Sequence, residues 1–169
     1  VREAISLFPD TKDKDIECFW KIMRKYNKKL DRIISSLGIN ENTTQYDAIV
    51  KIYAYMSENY SYNLVMGVYT EDTAATAKAL EGLSCRDVVY TKNGICSCFA
   101  KLLQDLLKRC GIQCGYVSDT TAHHAFNAVK FGGKIYYLDP TWDMGLITQD
   151  YITEEMRPEW YFFFDQSAF

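Results

Sequence analysis

The chain has 169 residues, 48% of them apolar, including 13 Tyr and 9 Phe, and a net charge of −3 from interspersed acids and bases. It is long enough for one domain with a sizeable core and too apolar for a disordered chain. No basic stripe suggests a nucleic-acid partner, no apolar run reaches the roughly eighteen residues of a membrane span, and no signal-peptide h-region is recognisable. Because it begins at Val1, the chain reads as an excised or processed piece, with a secreted or cell-surface origin left open. Six cysteines (Cys18, Cys85, Cys96, Cys98, Cys110 and Cys114) form an even set, but a chain of this length needs no disulfide staples, and the redox compartment stays open.

In chain order, residues 13 to 37 read as a long amphipathic helix, with Ile16, Trp20, Met23, Tyr26, Leu30, Ile33 and Leu37 recurring at spacings of three or four. Asp13 or Asp15 can cap its start and Gly38 its end. A second helix is expected from about Thr44 to Tyr60, then looser chain over 61 to 71, an Ala-rich helical segment over 72 to 81 and a connection over 84 to 94. The stretch GICSCFAKLLQDLLKRCG (94 to 111) opens a helix near Cys96 that is apolar on two adjacent faces, hence largely buried, and Gly111 closes it. The pattern then changes to short runs rich in β-formers: QCGYVSD (113 to 119), HAFNAVKF (124 to 131) and KIYYLD (134 to 139), with Gly132-Gly133 as a two-residue hairpin turn. The aromatic run from Trp160 to Phe164 reads as one more strand. Helices followed by an antiparallel sheet make an α+β fold. A single domain is expected over 1–169, with 1–40 as an N-terminal helical extension and 41–169 as the core that carries the chemistry.

The hairpin organises that chemistry. If Phe131 pairs with Lys134, then counting outward Phe126 faces Asp139 and His124 faces Thr141, and all four share one face. His124 and Asp139 become diagonal neighbours, so the carboxylate can fix the imidazole tautomer and stabilise its cation. His123 points to the other face. Asp143 has the right parity, but Pro140 suggests that the strand is ending and favours Asp139. Cys96 stands at a helix start, where backbone amides favour a thiolate and can face a developing oxyanion. On its own, Cys96 could equally be a small buried apolar side chain; the His and Asp are what raise it to a candidate nucleophile.

These three segments, GICSCFA, HAFN and LDPTWD, resemble the motifs of the transglutaminase-like superfamily of papain-like cysteine enzymes, over about residues 45 to 143. The resemblance implies a papain-like fold in which the helix bearing the nucleophile packs on an antiparallel sheet. It assigns the nucleophile to Cys96, the base to His124 and the orienting acid to Asp139. It implies acyl transfer through a thioester, resolved by water or an amine, on a protein or peptide substrate and with no cofactor. Hydrolysis of peptide or amide bonds is the leading expectation; a transglutaminase or deamidase, or an inactive binding module, is the alternative. Trp142, Phe126 and His123 are candidates for the substrate pocket. The chain departs from the family pattern in having Cys98 where glycine is common and Phe126 where Trp is common, and SCRDVVYTKN reads as an insertion.

A zinc site built from Cys96, Cys98, Cys110 and Cys114 fails on geometry. About twelve helical residues put Cys98 and Cys110 roughly 18 Å apart, whereas zinc needs each sulfur at about 2.3 Å. Cys98 lies about 200° around the helix from Cys96 and points away from it, as a buried thiol or one half of a disulfide. Cys18 and Cys85 have no assignable partner, and Asn127 belongs to the structure rather than to the site.

Overall fold

Helical periodicity in the first half of the chain and two-residue alternation in the second become separate layers. The structure, a computed structural model, describes residues 13–63, 85–119 and 124–143. The expected helix at 72 to 81, the expected strand at 160 to 164 and His123 lie outside the described residues, as does the side chain of Trp142. Helix α1 spans Asp13–Ser36 and α2 spans Gln45–Asn59, followed by β1 at Ser61–Tyr62. A short helix α3 (Val88–Thr91), a two-residue strand β2 (Asn93–Gly94) and the long helix α4 (Cys96–Arg109) lead into β3 (Cys114–Asp119), β4 (His124–Phe131), β5 (Lys134–Leu138) and a terminal helical turn α5 (Pro140–Asp143).

The fold is mixed helix and antiparallel sheet, as the pattern of the sequence implies. Strands β3, β4 and β5 form an antiparallel sheet in that order. Gly132 and Gly133 both take positive φ, +54° and +80°, which only glycine adopts without strain, and this fixes the tight turn. The turn in turn fixes the register, from Phe131 opposite Lys134 to Asn127 opposite Leu138. The ladder stops there. The expected pairs Phe126–Asp139 and His124–Thr141 do not form, because Pro140 cannot donate to a ladder and opens α5 instead.

Helix α4 is the centre of the core. Its Phe99, Ala100, Leu102, Leu103, Leu106 and Leu107 are completely buried, each large side chain contributing about 1.5–3 kcal/mol by leaving water. One side meets Ile49, Ile52 and Met56 of α2 and Leu30 of α1 in a common cluster. The other meets the sheet through polar contacts. Asn127 Nδ2 donates to the Ala100 carbonyl at 2.9 Å and to the Gly115 carbonyl at 3.2 Å, and Gln104 Nε2 donates to the Cys114 carbonyl at 3.1 Å. Helix α1 is tied on by Tyr26, whose hydroxyl donates to Asp105 at 2.9 Å, and by the Arg109–Asp31 ion pair. Its N-terminal half is less buried than the apolar periodicity implies: Trp20 is 43% exposed.

The stretch 84 to 94, expected as a plain connection, holds more structure where it is described. β2 pairs in parallel with β1, Ser61 against Asn93 and Tyr62 against Gly94, so the chain is clamped just before α4 begins. Two-residue strands carry too little periodicity to be read from sequence.

Candidate active site

Three elements converge on one point. Cys96 is the first residue of α4, His124 the first of β4, and Asp139 the residue between β5 and α5. Gly94 sets the approach of the chain to Cys96. A Cβ there would lie 2.9 Å from Val88 Cγ2 and 3.3 Å from Cys98 Cβ, so only glycine lets β2 lie against α3 and α4. Ile95 caps the helix from an extended conformation and, having no polar side chain, cannot cover the first amides. The amides of Cys98 and Phe99 bond to the Ile95 carbonyl, and the Ser97 amide reaches the Cys96 sulfur.

The structure brings Cys96, His124 and Asp139 together. His124 Nε2 and Asp139 Oδ2 are 2.5 Å apart, and both side chains are largely buried. Asp139 is aimed by its other oxygen, which accepts the Thr141 backbone N–H at 3.0 Å. With Nε2 engaged, Nδ1 is the ring nitrogen left to bond to Cys96. Burial pushes the Cys96 thiol up, but the hydrogen bond and charge of His124, together with the backbone N–H groups of Ala125 and Ser97, outweigh it and hold the thiol below its usual range. For His124, burial lowers the pKa, while the hydrogen bonds and charges of Asp139 and Cys96 raise it, to about 9. The two shifts are one fact seen from both partners: each group favours the charged form of the other, so the pairing pulls the proton from sulfur toward the imidazole.

Phe126 is 3% exposed. Its ring stacks on that of His124 at 6.3 Å between centroids, and Tyr137 meets it edge-on at 5.9 Å. These contacts brace the imidazole. Asn127, completely buried on the opposite face, locks β4 to the α4 backbone and so fixes the distance between Cys96 and His124. Periodicity carries no sign of the contact between Cys85 and Cys98, whose sulfurs lie 2.8 Å apart; a contact between a connection and a helix leaves no periodic trace.

The family model for the transglutaminase-like superfamily matches residues 35–140, which include all three converging residues. Human kyphoscoliosis peptidase is 25% identical over 150 residues, covering 79% of this chain, and the chain spans 21% of that protein's length. The chain belongs to the transglutaminase-like superfamily, whose members are generally cysteine-dependent acyltransferases and proteases.

Proposed function

We propose that the chain is a cysteine-dependent acyl-transfer enzyme that hydrolyses peptide or amide bonds through a thioester on Cys96. The thiolate attacks the carbonyl carbon, and the developing oxyanion turns toward the backbone amides at the start of α4. As the tetrahedral intermediate collapses, His124 gives its proton to the leaving amine. His124 then takes a proton from water, which attacks the thioester, releases the acid and restores the thiolate–imidazolium pair. Asp139 holds the ring in the tautomer that presents Nδ1 to sulfur. The chemistry is assigned to residues 41–169, with 1–40 as a helical extension, and Trp142 and His123 stand as candidates for contact with a peptide substrate.

The observation that carries this reading is the His124–Asp139 hydrogen bond beside a Cys96 thiol held below its usual range. The peptidase name of the human relative favours water over an amine as acyl acceptor. The test is iodoacetamide labelling at mildly acidic pH, followed residue by residue by mass spectrometry. Cys96 should label fastest, and His124→Ala should slow it at least tenfold. If Cys96 reacts no faster than Cys18 or Cys110, the chain is a binding module rather than an enzyme. A peptide substrate supplied with and without a primary amine then separates hydrolysis from cross-linking.

A further inference from the structure

Cys98 stands two residues beyond Cys96, on the opposite side of α4, and is 7% exposed. Its sulfur donates to the sulfur of Cys85 at 2.8 Å, although the two residues are thirteen positions apart. Cys85 is half-buried and within 3.8 Å of Ser97 Oγ. It lies just ahead of α3 and is the more accessible of the two thiols. The segment between them carries α3, the β2 strand and Cys96 itself. Two thiols at this separation, one reachable and one protected, have the arrangement of an attacking and a resolving cysteine.

We propose that Cys85 and Cys98 are a reversible dithiol–disulfide site, oxidised by a small-molecule disulfide of the glutathione class, whose bond staples the segment entering the Cys96 helix to the helix itself. The Cys85 thiolate attacks one sulfur of the donor disulfide and expels one thiolate, leaving a mixed disulfide. Cys98 gives up its proton to that departing thiolate and attacks the Cys85 sulfur, expelling the second thiolate, which takes up the proton that Cys85 had released to solvent. The pair loses two protons and two electrons, and the donor gains both as two thiols. The hydrogen bond from Cys98 supports this order, since it holds the Cys85 thiol down, at about 6. The bond between Cys85 and Cys98 forms without Cys96, whose sulfur lies beside His124 on another side of the helix.

The experiment uses the intact chain, reduced, desalted and equilibrated in glutathione buffers of increasing oxidised fraction. It is then quenched with acid, alkylated and mapped by mass spectrometry. The expected result is loss of two hydrogens, a cross-linked peptide pair joining Cys85 to Cys98, and a rise in Tm of roughly 5–10 °C from closing a loop of this length. Cys85→Ser should remove both the cross-link and the Tm rise, while Cys96→Ala should keep them, so the outcome is independent of whether the chain turns over substrate. The proposal is overturned if Cys85 and Cys98 both remain alkylatable in fully oxidised buffer, if either is found joined to Cys96 or capped by glutathione alone, or if the cross-link forms without raising Tm.

Discussion

Replacing Asp139 by Asn keeps the shape of the side chain and removes its charge, and the structure shows why this should be severe. Asp139 accepts twice, from His124 Nε2–H at 2.5 Å and from the Thr141 N–H at 3.0 Å. An Asn can satisfy only one of these. If its oxygen takes the Thr141 N–H, its NH2 faces Nε2 and drives the ring proton onto Nδ1, where it opposes the thiol; flipped, it sets NH2 against N–H at Thr141. His124 is held at about 9 against an ordinary 6.5, a difference of about 3 kcal/mol. Cys96 supplies part of this, and some solvent reaches the ring. The share lost with Asp139 is then on the order of 1–2 kcal/mol, a roughly five- to thirtyfold smaller thiolate–imidazolium population. The assay is the rate of iodoacetamide labelling of Cys96 from pH 5 to pH 10. The wild-type rate should already be high at pH 6, whereas the Asp139→Asn rate should be lower by that factor and climb only at higher pH. Identical pH–rate profiles would refute the assignment of Asp139 as the group that charges His124.

The same pair links stability to pH. A histidine whose folded pKa is raised stabilises the fold fully below its unfolded value near 6.5 and loses that contribution as pH rises through about 9; the stability difference between wild type and Asp139→Asn, measured by urea unfolding, should therefore be about 1–2 kcal/mol at pH 6 and much smaller at pH 10, and a difference that grows with pH contradicts the sign. Gly94→Ala places a methyl 2.9 Å from Val88 and 3.3 Å from Cys98, so it should cost about 1–3 kcal/mol; an unchanged Tm would mean that this approach is looser than described. Asn127→Ala leaves the buried Ala100 carbonyl and the Gly115 carbonyl without this donor and should cost about 1–3 kcal/mol while also slowing Cys96 labelling; loss of stability with labelling untouched would limit Asn127 to holding the fold together.

Much of this was legible in the sequence, and the reasons are specific. Long elements advertise themselves: the periodicity of α1, α2 and α4 needed only their apolar spacing, and Gly132-Gly133 fixed a turn whose register follows residue by residue. That register alone brings His124 toward Asp139. Its extension past Leu138 failed because Pro140 ends the ladder, yet the residues still meet, since Asp139 is the first residue beyond it.

What the amino-acid order determined by itself was local: which segments could be helix or strand, where the chain must turn, and which side chains share a face. These follow from φ/ψ preference and side-chain period. Only the tertiary structure decided which distant groups become neighbours. The β1–β2 clamp, the Asn127 bridge to Ala100 and the Cys85–Cys98 contact each join residues that no period relates. Protonation is of the same kind. Cys96 and His124 would titrate ordinarily in an extended chain; burial opposes charge on both, and their charges, the Asp139 hydrogen bond and backbone amides from two elements together reverse it.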